Sequence, residues 1–187
     1  MKVYVIRHGQ SENNALGRWT GWLDVNLTEK GVEDAKCAGK LIESVIFDAV
    51  YTSDLTRAIK TATTAIPNCS YKTTPLLREI NVGDIADKPL EILTDEQRTR
   101  TRKVGYTEFN GESLDEFYAR VEKFKRHLET SVADNVAVFS HAGWLRAMLD
   151  IVVGESLPRN KIKCGNCTIG IFEYQKSQWT LHSWINL

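Results

Sequence analysis

Lys2-Val3-Tyr4-Val5-Ile6-Arg7-His8-Gly9 is the stretch on which the fold turns. Its apolar run VYVI has the length and β-branched content of a strand buried on both faces. The run stops abruptly at a cation, an imidazole and a glycine. Two later runs stop in a similar way. Ala49–Thr52 leads through Ser53 into a helical pattern with Arg57 in its first turn, and Val136–Ser140 leads into His141-Ala142-Gly143. Further strands are expected over Tyr71–Leu76, Thr168–Tyr174 and Trp179–Trp184.

Helical periodicity fills the intervals, which places the chain in the α/β class. Thr28 can cap a helix with Val32, Ala35, Ala38, Leu41, Ile42 and Val45 on its inner face. Ser53 or Asp54 can cap a second, with Leu55, Ala58, Ile59, Ala62 and Ile66 inward and Pro67 at its end. Ser113 and Glu116 form a capping-box pattern before Leu114, Phe117, Val121, Phe124 and Leu128. A fourth helix runs from about Ala142 to Val153, with Gly154 as its stop. The stretch Ile80–Gly111 has no clear periodicity and holds a charged run, Asp95–Lys103; a short helix is expected near Pro89. Such an insertion is either a lid or a surface loop.

The 187 residues suit one domain, and 24 basic against 24 acidic residues give no bulk attraction to nucleic acid or an anionic membrane. No apolar run approaches the roughly 20 residues that span a bilayer. The start reads as a strand rather than a signal peptide, so a cytoplasmic location is the default expectation. Four cysteines are too few for a disulfide framework. Cys164-x-x-Cys167 lacks the second ligand pair that structural zinc requires, so no metal is expected and the pair reads as reduced thiols beside a turn at Gly165-Asn166. Nothing in the sequence fixes an oligomeric state.

In open α/β sheets, ligands bind beyond the carboxyl ends of the strands. Arg7, His8, Arg57 and His141 therefore converge on one edge from three places. Two guanidinium forks and the backbone N–H groups at helix starts, including that of Ala142, suit a phosphate. His8, among cations, is more easily kept neutral and nucleophilic, and His141 can donate a hydrogen bond or a charge to a phosphoryl oxygen. Glu79, after the strand ending at Leu76, is the candidate to protonate a leaving alkoxide and then activate water. His127 reads as solvated and His182 as structural; Trp19 and Trp22 are candidates for a substrate mouth, and Trp144 for packing beneath the second histidine.

Four blocks carry a resemblance: Arg7-His8-Gly9-Gln10-Ser11-Glu12-Asn13-Asn14 with Thr20-Gly21-Trp22-Leu23-Asp24-Val25 and Leu27-Thr28-Glu29-Lys30-Gly31; Tyr51–Ala58; Leu76-Leu77-Arg78-Glu79; and Ser140-His141-Ala142-Gly143. Asn110-Gly111-Glu112-Ser113 is also familiar. Together they resemble the histidine phosphatase superfamily, in the branch of the cofactor-dependent phosphoglycerate mutases. The resemblance implies a single-domain three-layer α/β/α sandwich with a mostly parallel sheet, in which residues 80–111 are a cap or substrate-loop insertion. It implies that His8 is phosphorylated, that Arg7, Arg57, His141 and Asn14 hold the phosphoryl group with Ala142 beside them, that Thr20 and Gly21 lie near substrate, and that Glu79 is the acid/base. It implies no metal, nucleotide or other cofactor.

Mutases of the family follow that Glu with a Tyr-Gly pair and carry paired arginines in a longer insertion. Here Ile80-Asn81-Val82-Gly83 follows, and Arg98, Arg100 and Arg102 alternate. A shorter cap with fewer carboxylate ligands admits water. The expectation is a phosphomonoester phosphatase (a histidine acid-type phosphoric monoester hydrolase) acting on a small phosphorylated metabolite. The alternatives are a phosphoglycerate mutase, an α-ribazole phosphatase and a non-catalytic phosphate-binding protein.

Overall fold

The computed structural model describes residues 1–155 and 161–187. Its sheet has six strands in the order β3-β2-β4-β1-β5-β6. Strands β1 (Lys2–Arg7), β2 (Ala49–Thr52), β3 (Lys72–Thr73) and β4 (Asn135–Ser140) run parallel. β5 (Ile169–Gln175) pairs antiparallel with β1 and with β6 (Gln178–Ile185).

Side-chain alternation along the strands builds two cores. Val3, Val5, Val136 and Val138 face one side, under Phe117, Val121, Phe124 and Leu128 of α5 (Leu114–Glu129) and Trp144 of α6 (Ala142–Val153). Ile6, Ala137 and Phe139 face the other, under Ala35, Ala38 and Ile42 of α2 (Glu29–Ile42) and Ala62 and Ala65 of α3 (Thr56–Ala65). Helices thus cover both faces of the sheet, the expected three layers. Trp144, three residues after the second histidine, is fully buried, with its ring against Phe124 and its indole N–H on the Leu76 carbonyl.

Register places the chemistry. Arg7 pairs with Ser140 and Thr52 with Phe139, so three strands end level and the next residues emerge side by side.

Several local expectations need correction. The strand expected over Tyr71–Leu76 shrinks to Lys72–Thr73, because Pro75 opens a 3-10 turn at Pro75–Leu77 capped by the Thr74 hydroxyl. α2 ends at Ile42, before Val45, and Leu41 is 49% exposed; it flanks the stripe of Ala35, Ala38 and Ile42 that α3 covers. Neither Ser53 nor Asp54 caps α3. Leu55 occupies that position, and Asp24, from a distant loop, accepts from the Thr56 backbone N–H (2.8 Å) and hydroxyl (2.7 Å). His182 is exposed rather than structural. His127 is exposed too, as expected, with Nε2 3.4 Å from the Tyr51 hydroxyl.

The 80–111 segment is more ordered than its pattern suggests. It contains 3-10 turns at Gly83–Ile85, Leu90–Ile92 and Thr107–Phe109, the second of them beside Pro89. The charged run is a helix, α4 (Asp95–Val104), despite having only Thr101 buried. Its signals are local: a Thr94/Gln97 capping box, acids in the first turn, and Arg102 and Lys103 in the last. Capping boxes also open the short α1 (Glu12–Ala15), with Ser11 and Asn14, and, as expected, α5, with Ser113 and Glu116.

Candidate active site

The level strand ends open into a cavity of about 380 Å³. Its lining includes Arg7, His8, Asn14, Thr20, Gly21, Arg57, Glu79 and Ala142, eight of the nine residues expected at the site. The ninth, His141, lies behind this surface, fully buried, with its ring 5.1 Å from that of His8.

His8 follows β1, and its backbone N–H donates to the Ser140 carbonyl. Its ring has a defined tautomer. Nδ1 lies 2.7 Å from the Gly9 carbonyl, which can only accept, so Nδ1 carries the proton. Arg57 Nε, which can only donate, points at His8 Nε2 from 3.3 Å. Nε2 therefore bears the lone pair. Burial, then the charges of Arg57 and Arg7, push the His8 pKa well below its ordinary value, so the imidazole is neutral near pH 7. Gly9 is needed here for close approach: a Cβ would lie 2.2 Å from the Gly31 carbonyl oxygen.

Arg57 is 1% exposed. Its Nη1 and Nη2 donate to the carbonyls of Leu23 (2.9 Å) and Gly21 (2.8 Å), which ties the 20–24 loop to α3. Burial lowers its pKa to about 10, so it keeps its charge at neutral pH. Arg7 Nη1 donates to the Cys164 carbonyl (2.6 Å). Asn14 Oδ1 accepts from Asn166 Nδ2 (3.1 Å), which leaves the Asn14 amide as an available donor.

His141 Nε2 lies 2.9 Å from Ser53 Oγ. Burial, then Arg57, His8 and Arg7, hold it well below its usual pKa, so it offers a hydrogen bond rather than a charge. Among the described residues, the buried side-chain polar atoms without a partner are Arg7 Nε, His141 Nδ1 and Trp19 Nε1. Arg7 and Trp19 line the cavity, and His141 lies behind His8. Unpaired buried polar groups are costly, and such groups gathered at one site mark it as built for a ligand.

Glu79 is held by two backbone N–H groups, Gly143 to Oε2 (3.0 Å) and Ile80 to Oε1 (2.9 Å). Gly143 must lack a side chain, because a Cβ there would lie 2.1 Å from Glu79 Oε1. The outer lining is Asn13, Arg18, Trp19, Ile80, Val82, Leu90 and Tyr106. Arg18 is paired with Asp87 at 3.1 Å. Trp22, expected at the mouth beside Trp19, is not in the lining; its indole donates to the Glu79 carbonyl (2.7 Å) and Arg78 stacks over its ring.

Sequence reasoning missed Ser53, Asn166 and Asp24. Asn166 was legible as part of the Gly165-Asn166 turn, which brings its amide to Asn14 and to the His8 carbonyl (3.2 Å). The flanking Cys164 and Cys167 are buried free thiols, both pushed up by burial, Cys167 to about 12. Among the described residues, no three His, Cys, Asp or Glu side chains cluster in a way that could hold a metal ion, and no helix is long and apolar enough to cross a membrane.

A neutral imidazole lone pair, two guanidinium groups and a carboxylate around one cavity define a phosphoryl-transfer type of site, and the wider comparison agrees. The chain belongs to the histidine phosphatase superfamily (branch 1), matched over residues 3–187. It is 30% identical to the protein named "Probable phosphoglycerate mutase GpmB" of Photorhabdus laumondii, over 99% of this chain and 90% of that one. Its fold superimposes on the alpha-ribazole phosphatase from Shigella flexneri with a TM-score of 0.83 at 26% identity, covering 97% of this chain and 95% of the other. For the protein TTHB049 from Thermus thermophilus the TM-score is 0.79 at 28% identity, with both chains fully covered.

Proposed function

We propose that the protein is a metal-independent phosphomonoester phosphatase working through a phosphohistidine on His8. The observation that carries this reading is the His8 tautomer, with Nδ1–H bound to Gly9 and the Nε2 lone pair facing Arg57 in the cavity. Nε2 attacks phosphorus as the ester P–O bond breaks, and Glu79, acting as the acid, passes a proton to the departing alkoxide. Glu79 then takes a proton from water, whose oxygen attacks the phosphohistidine. The P–N bond breaks, releasing inorganic phosphate and restoring neutral His8. Arg7, Arg57 and Asn14 hold the equatorial oxygens, where charge spreads during transfer, with the unpartnered Nδ1 of the recessed His141 as a further group for them. Thr20, Gly21 and Ala142 complete the phosphate end.

Residues 80–111 act as a cap that supplies the leaving-group wall. Hydrolysis is favoured over mutase chemistry because the wall presents Ile80, Val82 and Leu90, and the cation that lines it among the described residues, Arg18, is already paired with Asp87. The mutase reading keeps a footing in the name of the Photorhabdus relative, and an α-ribazole phosphatase in that of the Shigella structure.

The test is phosphate release from a panel of phosphomonoesters in EDTA. The panel includes α-ribazole phosphate, and 3-phosphoglycerate with and without bisphosphoglycerate. Release from one or more esters is expected. Interconversion of phosphoglycerates only after priming, without release, would make the protein a mutase.

A further inference from the structure

Resting on the proposed role of Glu79, we infer that Arg120, held by Glu112, is a positioning residue for proton transfer: it fixes the backbone that carries the Glu79 carboxylate. After the 3-10 turn at Pro75–Leu77 the chain joins no regular element through Val82. Backbone carbonyls in such a segment still need donors, and side chains supply them. Arg120 Nη1 donates to Leu76 (3.0 Å) and Arg78 (2.8 Å), and Arg120 Nη2 to Glu79 (3.1 Å). Ser140 Oγ takes Leu77, Trp144 Nε1 shares Leu76, and Trp22 Nε1 shares Glu79. One guanidinium thus spans three of four consecutive carbonyls.

Its remaining fork closes on Glu112, with Nε to Oε1 and Nη2 to Oε2, both at 2.9 Å. Glu112 Oε2 also accepts from the Asn81 backbone N–H (3.1 Å), and the Asn81 carbonyl accepts from the Glu112 N–H (2.9 Å). The pair therefore grips the chain on both sides of Glu79. This gives a role to Glu112 within the Asn110–Ser113 motif. Arg120 is absent from the cavity lining, so it acts through Glu79 and not on substrate.

Both side chains are nearly buried, at 12% and 11% exposure. Removing one partner of such a pair leaves an uncompensated buried charge, whereas replacing both by uncharged residues of similar volume does not. Lysine cannot replace the planar fork, because it is a point donor on a flexible stem.

The variants are Arg120→Lys and the double variant Arg120→Met/Glu112→Gln, which leaves neither charge unpaired. Each is assayed by kcat/KM on an alkyl phosphate, whose leaving group needs a proton, and on p-nitrophenyl phosphate, whose leaving group does not. Misplacing the acid should cost the alkyl ester roughly 10- to 100-fold and the aryl ester less than about 3-fold. Equal losses on both esters, or no loss on either, would overturn the inference. If the double variant does not fold, Arg120→Lys decides. Glu79→Gln in the same assay separates the two levels. A loss selective for the alkyl ester in Glu79→Gln but not in the Arg120 variants removes the positioning role alone. An unselective Glu79→Gln removes the acid reading, and positioning falls with it.

Discussion

The two ends of the cavity are made differently. At the deep end, His8, Arg57 and His141 are 5%, 1% and 0% exposed; the two histidines follow strand termini whose register is fixed by the parallel ladder, and Arg57 sits in the first turn of α3. The outer wall has no strand. Its Val82, Ile85 and Leu93 form a separate small core, joined by Trp19, Ile80, Tyr106 and Phe109. Backbone bonds tie it to the 17–20 loop, from Trp19 N to the Lys88 carbonyl (2.9 Å) and from Leu90 N to the Gly17 carbonyl (2.8 Å). Chemistry is thus anchored to the main sheet, whereas the surface facing the leaving group rests on its own cluster.

The largest expected effect tests the deep end. His8→Ala should abolish turnover and acid-labile phosphoenzyme while leaving the urea unfolding midpoint near that of the parent; comparable turnover in the folded variant would sink the nucleophile. Gly143→Ala should next separate activity from stability. The added Cβ collides with the carboxyl end of the Glu79 side chain, so alkyl-ester kcat/KM should fall roughly 10-fold or more. Stability should not fall, because Ala is the better helix former. A stable variant with unchanged activity would show that the carboxylate can work from elsewhere.

A pH series sharpens the contrast further. His8 and His141 stay neutral in the folded protein well below 6.5, but take protons near 6.5 once unfolded. The unfolded state then binds more protons, so stability is lost as pH falls below about 6.5, by at most about 1.4 kcal/mol per pH unit for each histidine. Urea midpoints between pH 7 and 5 in phosphate-free buffer should show this, with a shallower slope in His8→Ala. An unchanged slope in the variant would mean that His8 is charged when folded.

The smallest effects compare two caps. Asp24→Ala and Thr94→Ala should each cost about 1 kcal/mol. Only Asp24→Ala should also weaken phosphate binding, because Asp24 holds the start of the helix that carries Arg57. Equal effects of both variants on inhibition by inorganic phosphate would erase the distinction between the two ends.

The deep end was legible in the sequence because each of its parts is a local signal. VYVI before Arg7-His8-Gly9 and VAVF before Ser140-His141 announce buried strands that end in chemistry. The outer wall was not. Helix α4 has almost no apolar face, so periodicity passed over it, and only its capping box and charge order betray it.

By itself the sequence determined the α/β class and pointed to His8, His141, Arg7 and Arg57, since strand, helix and cap signals act over a few residues, while its motif blocks gave the family by resemblance and singled out Glu79. Tertiary structure alone decided the His8 tautomer, the recessed place of His141, the capping of α3 by Asp24, and the grip of Arg120 on the Glu79 segment. Each of these is a hydrogen bond or ring contact between distant parts of the chain. Which donor meets which acceptor at that range is set by sheet register and helix packing, and by no local pattern.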